Sequence, residues 1–166
     1  MAGEPKPVVR NATLDDLDEL IDLFAMLERE QSDLRPLWRY ANGLDEPAAT
    51  SLAAMIVDGE HELYVAEVCG AVVGFLEALT EDLLPQAGGE RVGVVRMIFT
   101  LEGMRGVGIG HALLDHALDE FRQAGIHLFD ALVSPGHRNA KNFFEAHGFK
   151  ARLIVMHGRD EGALTT

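Results

Sequence analysis

The run Arg105-Gly106-Val107-Gly108-Ile109-Gly110-His111 is the stretch whose residue types and spacing could most directly do chemistry. An apolar segment rich in β-branched residues, Arg91 to Thr100, precedes it, and an amphipathic stretch from Ile109 to Phe121 follows. Strand, glycine loop and helix N-terminus together make an anion site. The first helical turn leaves its N–H groups without carbonyl partners, and the helix dipole puts about half a positive charge at the same end. Glycines remove the Cβ atoms that would hold phosphate oxygens off the backbone. A pyrophosphate is the ligand this chemistry suits.

Two common phosphate loops fail here. A dinucleotide fingerprint, G-x-G-x-x-G, starts at Gly106 and Gly108 but meets His111 at its third glycine, and the run lies far from any first strand. A P-loop needs Gly-Lys-Ser/Thr, which is absent. The pattern R-x-x-G-x-G fits, at Arg105, Gly108 and Gly110. Ile98-x-Thr100 stands before it, Leu113-Leu114 behind it, and Phe144-Glu145-Ala146-His147-Gly148-Phe149 further along. With these, the chain resembles the GCN5-related N-acetyltransferase superfamily over most of its length.

Periodicity supplies the elements that must position the loop. Val8 to Arg10 reads as a strand, and Thr13 as the N-cap of a helix over Leu14 to Phe24. Glu30 to Pro47 reads as irregular, and the resemblance implies that Trp38 and Tyr40 within it could wall the acceptor site. A second helix covers Ala48 to Val57. Leu63–Val68 and Ala71–Leu79 make a hairpin about Cys69-Gly70. After Val92–Thr100 and the loop, a helix runs to about Ala124 and stops at Gly125. Ile126 to Val133 reads as a strand, Ser134-Pro135 opens a short helix ending at Gly148, and Phe149 to His157 reads as a last strand. The order β-α-α-β-β-β-α-β-α-β is that of the superfamily. The resemblance implies an α/β (α+β) fold with a mixed, mostly antiparallel sheet, flanked by helices, whose fourth and fifth strands splay apart.

The resemblance also implies acetyl-CoA as co-substrate. Backbone N–H groups of Gly106, Val107, Gly108, Ile109, Gly110 and His111 would cradle its pyrophosphate, and Arg105 would bind phosphate or position the loop. Ile98, Phe99 and Thr100 would pair with its amide arm like an added strand. Arg138, Lys141 and Asn142 lie where its phosphates or adenine could be reached. Two positions depart from the family pattern. Phe144 stands where many members have a tyrosine that protonates the leaving thiolate, and His137, a candidate coenzyme-binding residue that could also replace the missing acid, stands where an asparagine is usual, with Asn139 two residues on. A thiol with pKa near 8.5 leaves unprotonated at pH 7 for about 2 kcal/mol, so a missing acid is tolerable. An alkylammonium acceptor is harder, since its deprotonation costs roughly 4.6 kcal/mol at pH 7. A general base helps with that, and Asp130 and Glu77 are the candidates by position. The chain therefore reads as an acetyl-CoA-dependent N-acetyltransferase for a primary amine of a small molecule or protein. A non-catalytic acyl-CoA-binding sensor or interaction domain is the alternative.

Composition bounds both readings. A chain of 166 residues suits one domain, residues 1–166, with loose tails at 1–7 and 158–166. Residues 1–90 carry 19 acidic and 5 basic side chains, whereas 91–166 carry 8 and 9. That balance argues against nucleic acid as a partner and favours a cationic acceptor over the acidic half. No metal site is expected, because His111 and His116 do not share a helix face and no cysteine set accompanies the histidines. A single cysteine fits a reducing cytoplasm, and no apolar run suits a membrane span. Homodimers are common among proteins of this kind, and that state is left open.

Overall fold

The computed structural model describes residues 6–34, 44–45 and 47–156. Strand β1 is Val8–Asn11. A 3₁₀ turn, Leu14–Asp16, leads into α1, Leu17–Asp33, and α2 is Ala48–Val57. Strands β2, His61–Val68, and β3, Ala71–Asp82, are joined by Cys69 and Gly70, both at positive φ as a type I′ turn requires. Strand β4 is Arg91–Thr100, α3 is Ile109–Gln123, β5 is Phe129–Ala131 and α4 is Arg138–Ala146. The strands lie in the order β1-β2-β3-β4-β5, antiparallel throughout except for the parallel pair β4–β5. The mixed, mostly antiparallel sheet with flanking helices is therefore as expected.

Apolar side chains cover both faces of the sheet, which explains the near-continuous hydrophobic runs in β2 to β4. On one face Tyr64, Leu76 and Val95 pack against Ile109, Leu113, Leu114 and Phe121 of α3. On the other, Leu63, Phe75, Met97 and Phe99 pack beneath Leu20, Phe24 and Leu27 of α1 and Leu52 and Met55 of α2. Val95 and Met97 would share a face in a regular strand. They lie in opposite layers because Glu77 pairs with Met97 while Ala78 pairs with Val95, leaving Arg96 as an extra, bulged residue. The start of α1 is pinned by Arg10, whose guanidinium donates to both oxygens of Asp16 and to Glu67. That guanidinium holds the Asp16 carboxyl down at about 2.

Several boundaries differ from the sequence reading. Helix α1 runs past Phe24 to Asp33, through residues expected to be irregular, because its buried stripe continues through Leu27 to Gln31. Thr13 precedes a 3₁₀ turn, and the Asp16 carboxylate accepts from its N–H and Oγ1. Strand β5 keeps only Phe129–Ala131 of the expected Ile126–Val133. Ile126 is drawn into the layer under α3, and Leu132 and Val133 leave the sheet. Helix α4 starts at Arg138 rather than at Pro135, because Gly136 takes φ +88° and His137 becomes the cap. The expected last strand is not formed over residues 149–156, where Leu153, Ile154, Val155 and Met156 are exposed. Strand propensity without a paired neighbour makes no strand. Trp38, Tyr40 and His157 lie outside the described residues.

Helix α3 lies close on the sheet where β4 has Gly93. A Cβ there would stand 2.5 Å from the Phe121 ring. Gly93→Ala should therefore cost about 1–3 kcal/mol of stability by overpacking, read as a lower denaturant midpoint. Adding Phe121→Leu should recover part of it.

Candidate functional site

Pairing between β4 and β5 ends at Val95 and Ala131, with a last bond from Leu132 N–H to the Val95 carbonyl. Beyond that point β4 continues to Thr100 with no strand on its β5 side among the described residues, and the gap opens into a cleft of about 270 Å³. Arg96, Ile98, Phe99 and Thr100 form one wall, Leu132 to Ser134 and α4 the other, and the glycine loop the floor. Leu27, Glu30 and Gln31 of α1 line the cleft as well. The bulge at Arg96 and the end of β5 pairing coincide, so the two strands splay apart there, as the resemblance implied they would.

The loop has the geometry of an anion cradle. Gly106 and Gly108 take φ +82° and +89°, and Gly108 caps α3, its carbonyl accepting from Ala112 N–H at 2.9 Å. The N–H groups of Ile109, Gly110 and His111 therefore occupy the first turn, where no carbonyl precedes them. Gly106, Gly108, Ile109, Gly110 and His111 all line the cleft, whereas Val107 points to solvent. A Cβ on Gly108 would meet nothing within 4 Å, so the space over the loop is open. A phosphate and an extended amide arm both fit this arrangement: N–H donors on the floor, an unpaired strand edge on the wall.

Arg105 is a positioning residue here. Its Nε donates to the Thr100 carbonyl at 3.1 Å, its Nη2 donates to Glu30, and it stacks over Phe99. His137 caps α4 by accepting from Ala140 N–H on Nδ1, which leaves the proton on Nε2, 3.4 Å from the other Glu30 oxygen. Glu30 thus ties together α1, the loop and α4. The sequence reading missed it, although a stripe carried one turn beyond Leu27 would have exposed it. The Gln31 Oε1 beside it is buried and has no hydrogen-bond partner among the described residues. Arg138, Lys141 and Asn142 are exposed, and Lys141 pairs with Glu145. Phe144 is buried against Phe143 and Phe149 and lines the cleft with a ring that has no proton to give.

The two candidate bases are placed very differently. Asp130 sits before the splay, opposite Val94. It is paired by Arg152 and lines a separate cavity with Leu83 and Val92. The structure does not bring it to the cleft. Glu77 is fully buried on β3, opposite Met97, the neighbour of the cleft-lining Arg96 and Ile98. Neither of its oxygens has a hydrogen-bond partner among the described residues. His61 Nε2 stands 3.9 Å away, and the His61 Nδ1 lies 2.7 Å from Asp58. Burial pushes the Glu77 carboxyl up to about 7, against the pull of Arg96 and His61.

Comparison with known proteins defines the class. The acetyltransferase (GNAT) family matches residues 20–149, and the chain belongs to that family. It is 28% identical over 142 residues to an aminoalkylphosphonate N-acetyltransferase of Salmonella typhimurium, covering 86% of this chain and 84% of that one. It is 26% identical over 147 residues to an uncharacterized N-acetyltransferase of Methanocaldococcus jannaschii, covering 89% of this chain but spanning only 62% of that relative's length. A Clostridium acetobutylicum acetyltransferase solved with acetyl-CoA has the same fold, with a TM-score of 0.71 at 17% identity over 93% of this chain and 96% of that one. Acetyl-CoA is the co-substrate of the family. Among the described residues, no helix is long and apolar enough to cross a membrane, and no histidine, cysteine and carboxylate group could hold a metal ion.

Two outcomes follow from this geometry. Gly108→Glu should abolish CoA binding in calorimetry by setting a carboxylate in the cradle. Its positive φ adds about 1–2 kcal/mol of strain, visible as a lower Tm with a cooperative transition retained. The second outcome concerns Glu77. The folded chain holds a proton on Glu77 that the unfolded chain releases. Its contribution to stability is complete below about pH 4.5 and is lost as pH rises through about 7. The loss should total about 3 kcal/mol. Glu77→Gln should remove that slope, as read from the stability difference between wild type and variant at pH 5 and pH 8.

Proposed function

We propose that the chain transfers the acetyl group of acetyl-CoA to a primary amine of a small molecule or protein. The observation that carries this reading is the cleft itself, with phosphate donors on its floor and an open β4 edge on its wall. The co-substrate supplies an activated acyl group on a thiol that leaves easily. The remaining steps belong to this chain. Backbone groups of Ile98 to Thr100 align the amide arm, and Gly106 to His111 hold the pyrophosphate.

Removing the ammonium proton is the costly step, at roughly 4.6 kcal/mol for an ordinary amine at pH 7. Glu77 is matched to it, since a base works best with a pKa near the working pH. Fully buried opposite Met97 and not itself lining the cleft, it takes the proton through water in this reading rather than by touching the amine. The acidic Glu30, the buried Gln31 oxygen and the excess of carboxylates in the first half of the chain favour a cationic acceptor. The protonless Phe144 supports a second reading, an acyl-CoA-binding sensor without turnover.

A panel of aminoalkylphosphonates, aminoglycosides, polyamines and peptide N-termini, assayed for free thiol with acetyl-CoA, separates the two. Turnover of any amine sinks the sensor reading. Micromolar CoA binding with no transfer across the panel sinks the enzyme. In the active enzyme, Glu77→Gln should lower kcat/KM by about 10²–10⁴-fold and flatten the pH profile near 7, while leaving CoA affinity unchanged.

A further inference from the structure

His111 contributes more to the cleft than its backbone N–H. Its Nδ1 lies 2.8 Å from Nε2 of His147, and the Nδ1 of His147 lies 2.8 Å from the Phe143 carbonyl oxygen. Both imidazoles pack against the Phe143 ring. A carbonyl can only accept, so His147 carries its proton on Nδ1 and, when neutral, presents a bare Nε2. The His111 Nδ1 must then donate to it. In the neutral pair this leaves the remaining nitrogen of His111, Nε2, without a proton, on a residue that lines the cleft beside the phosphate cradle. A lone pair there repels a phosphate oxygen. One added proton turns it into a charged donor without disturbing either hydrogen bond.

We infer that the His111–His147 pair binds the coenzyme's pyrophosphate through His111 Nε2–H, and that the pair takes up one proton as CoA binds. His111 is the binding residue, and His147 is a positioning residue that dictates which nitrogen of His111 is bare beforehand. The titratable and charged groups on the elements around the pair are Asp115, His116, Asp119, Glu120 and Arg122 on α3, Arg138 and the Lys141–Glu145 pair on α4 with its cap His137, and Arg105, already paired by Glu30. Among the described residues no carboxylate lies within ion-pair distance of either ring, so phosphate is the anion that draws the proton. The inference rests on the loop holding CoA.

The test is calorimetry of CoA binding at pH 8 in two buffers of different ionisation enthalpy. The phosphates of CoA are themselves fully dissociated at that pH, their second pKa being about 6. Wild type should take up close to one proton per CoA, and its affinity should fall by about tenfold per pH unit on the alkaline side. His147→Phe keeps the packing on Phe143 but frees His111 to carry its proton on Nε2. It should bind CoA without proton uptake and without the alkaline fall. His111→Asn should also lose the uptake. Wild-type binding with no uptake overturns the inference while leaving the CoA site intact. Uptake that persists in both variants overturns it too, by placing the proton elsewhere. Failure of wild type to bind CoA at all overturns the reading of the loop and this inference with it. Thermal melting of each variant confirms that a folded chain was measured.

Discussion

Everything in the cleft depends on where β4 and β5 stop pairing. Three residues of parallel ladder hold the strands together, and the bulge at Arg96 then turns the continuation of β4 away. Had the ladder continued, the β5-facing edge of Ile98 to Thr100 would be spent on a neighbouring strand, and no backbone would be left to receive an extended ligand. Had the bulge been absent, Met97 and Phe99 would leave the layer beneath α1 and α2, and that half of the core would lose its floor. One extra residue therefore serves the hydrophobic core and the open edge at once.

The phosphate loop follows from the same arrangement. β4 delivers the chain to Arg105 at the open end of the sheet, and α3 returns along the opposite face with Ile109, Leu113 and Leu114 buried against it. Burial of that stripe aims the first turn of α3 at the gap, so hydrophobic packing orients the N–H donors. The glycines keep the approach clear.

Much of this was legible from residue order. α2 and β4 begin and end where read, because proline, glycine and charged residues bracket their apolar runs. The loop was legible because its chemistry is local: glycines at set spacing before an amphipathic stretch. What could not be read is what depends on partners. Leu153 to Met156 carry strand-forming side chains but find no edge to join. Asp130 and Glu77 both sit on strands, yet one is held by Arg152 outside the cleft and the other is buried behind its wall. Glu30 escaped notice because its partners Arg105 and His137 are distant in the chain.

Glu30 gives the two ends of the cleft a common currency. Its carboxylate, carried on α1, is shared between Arg105 of the loop and His137 at the α4 cap, and all three line the cleft. An acceptor that drew on this charge would loosen Arg105 and His137, and a phosphate that drew on Arg105 would release Glu30. Thermodynamic reciprocity then requires each substrate to change the other's affinity by the same factor. Two substrates that meet at the acetyl group would thereby also be linked, some distance from it, through a single side chain.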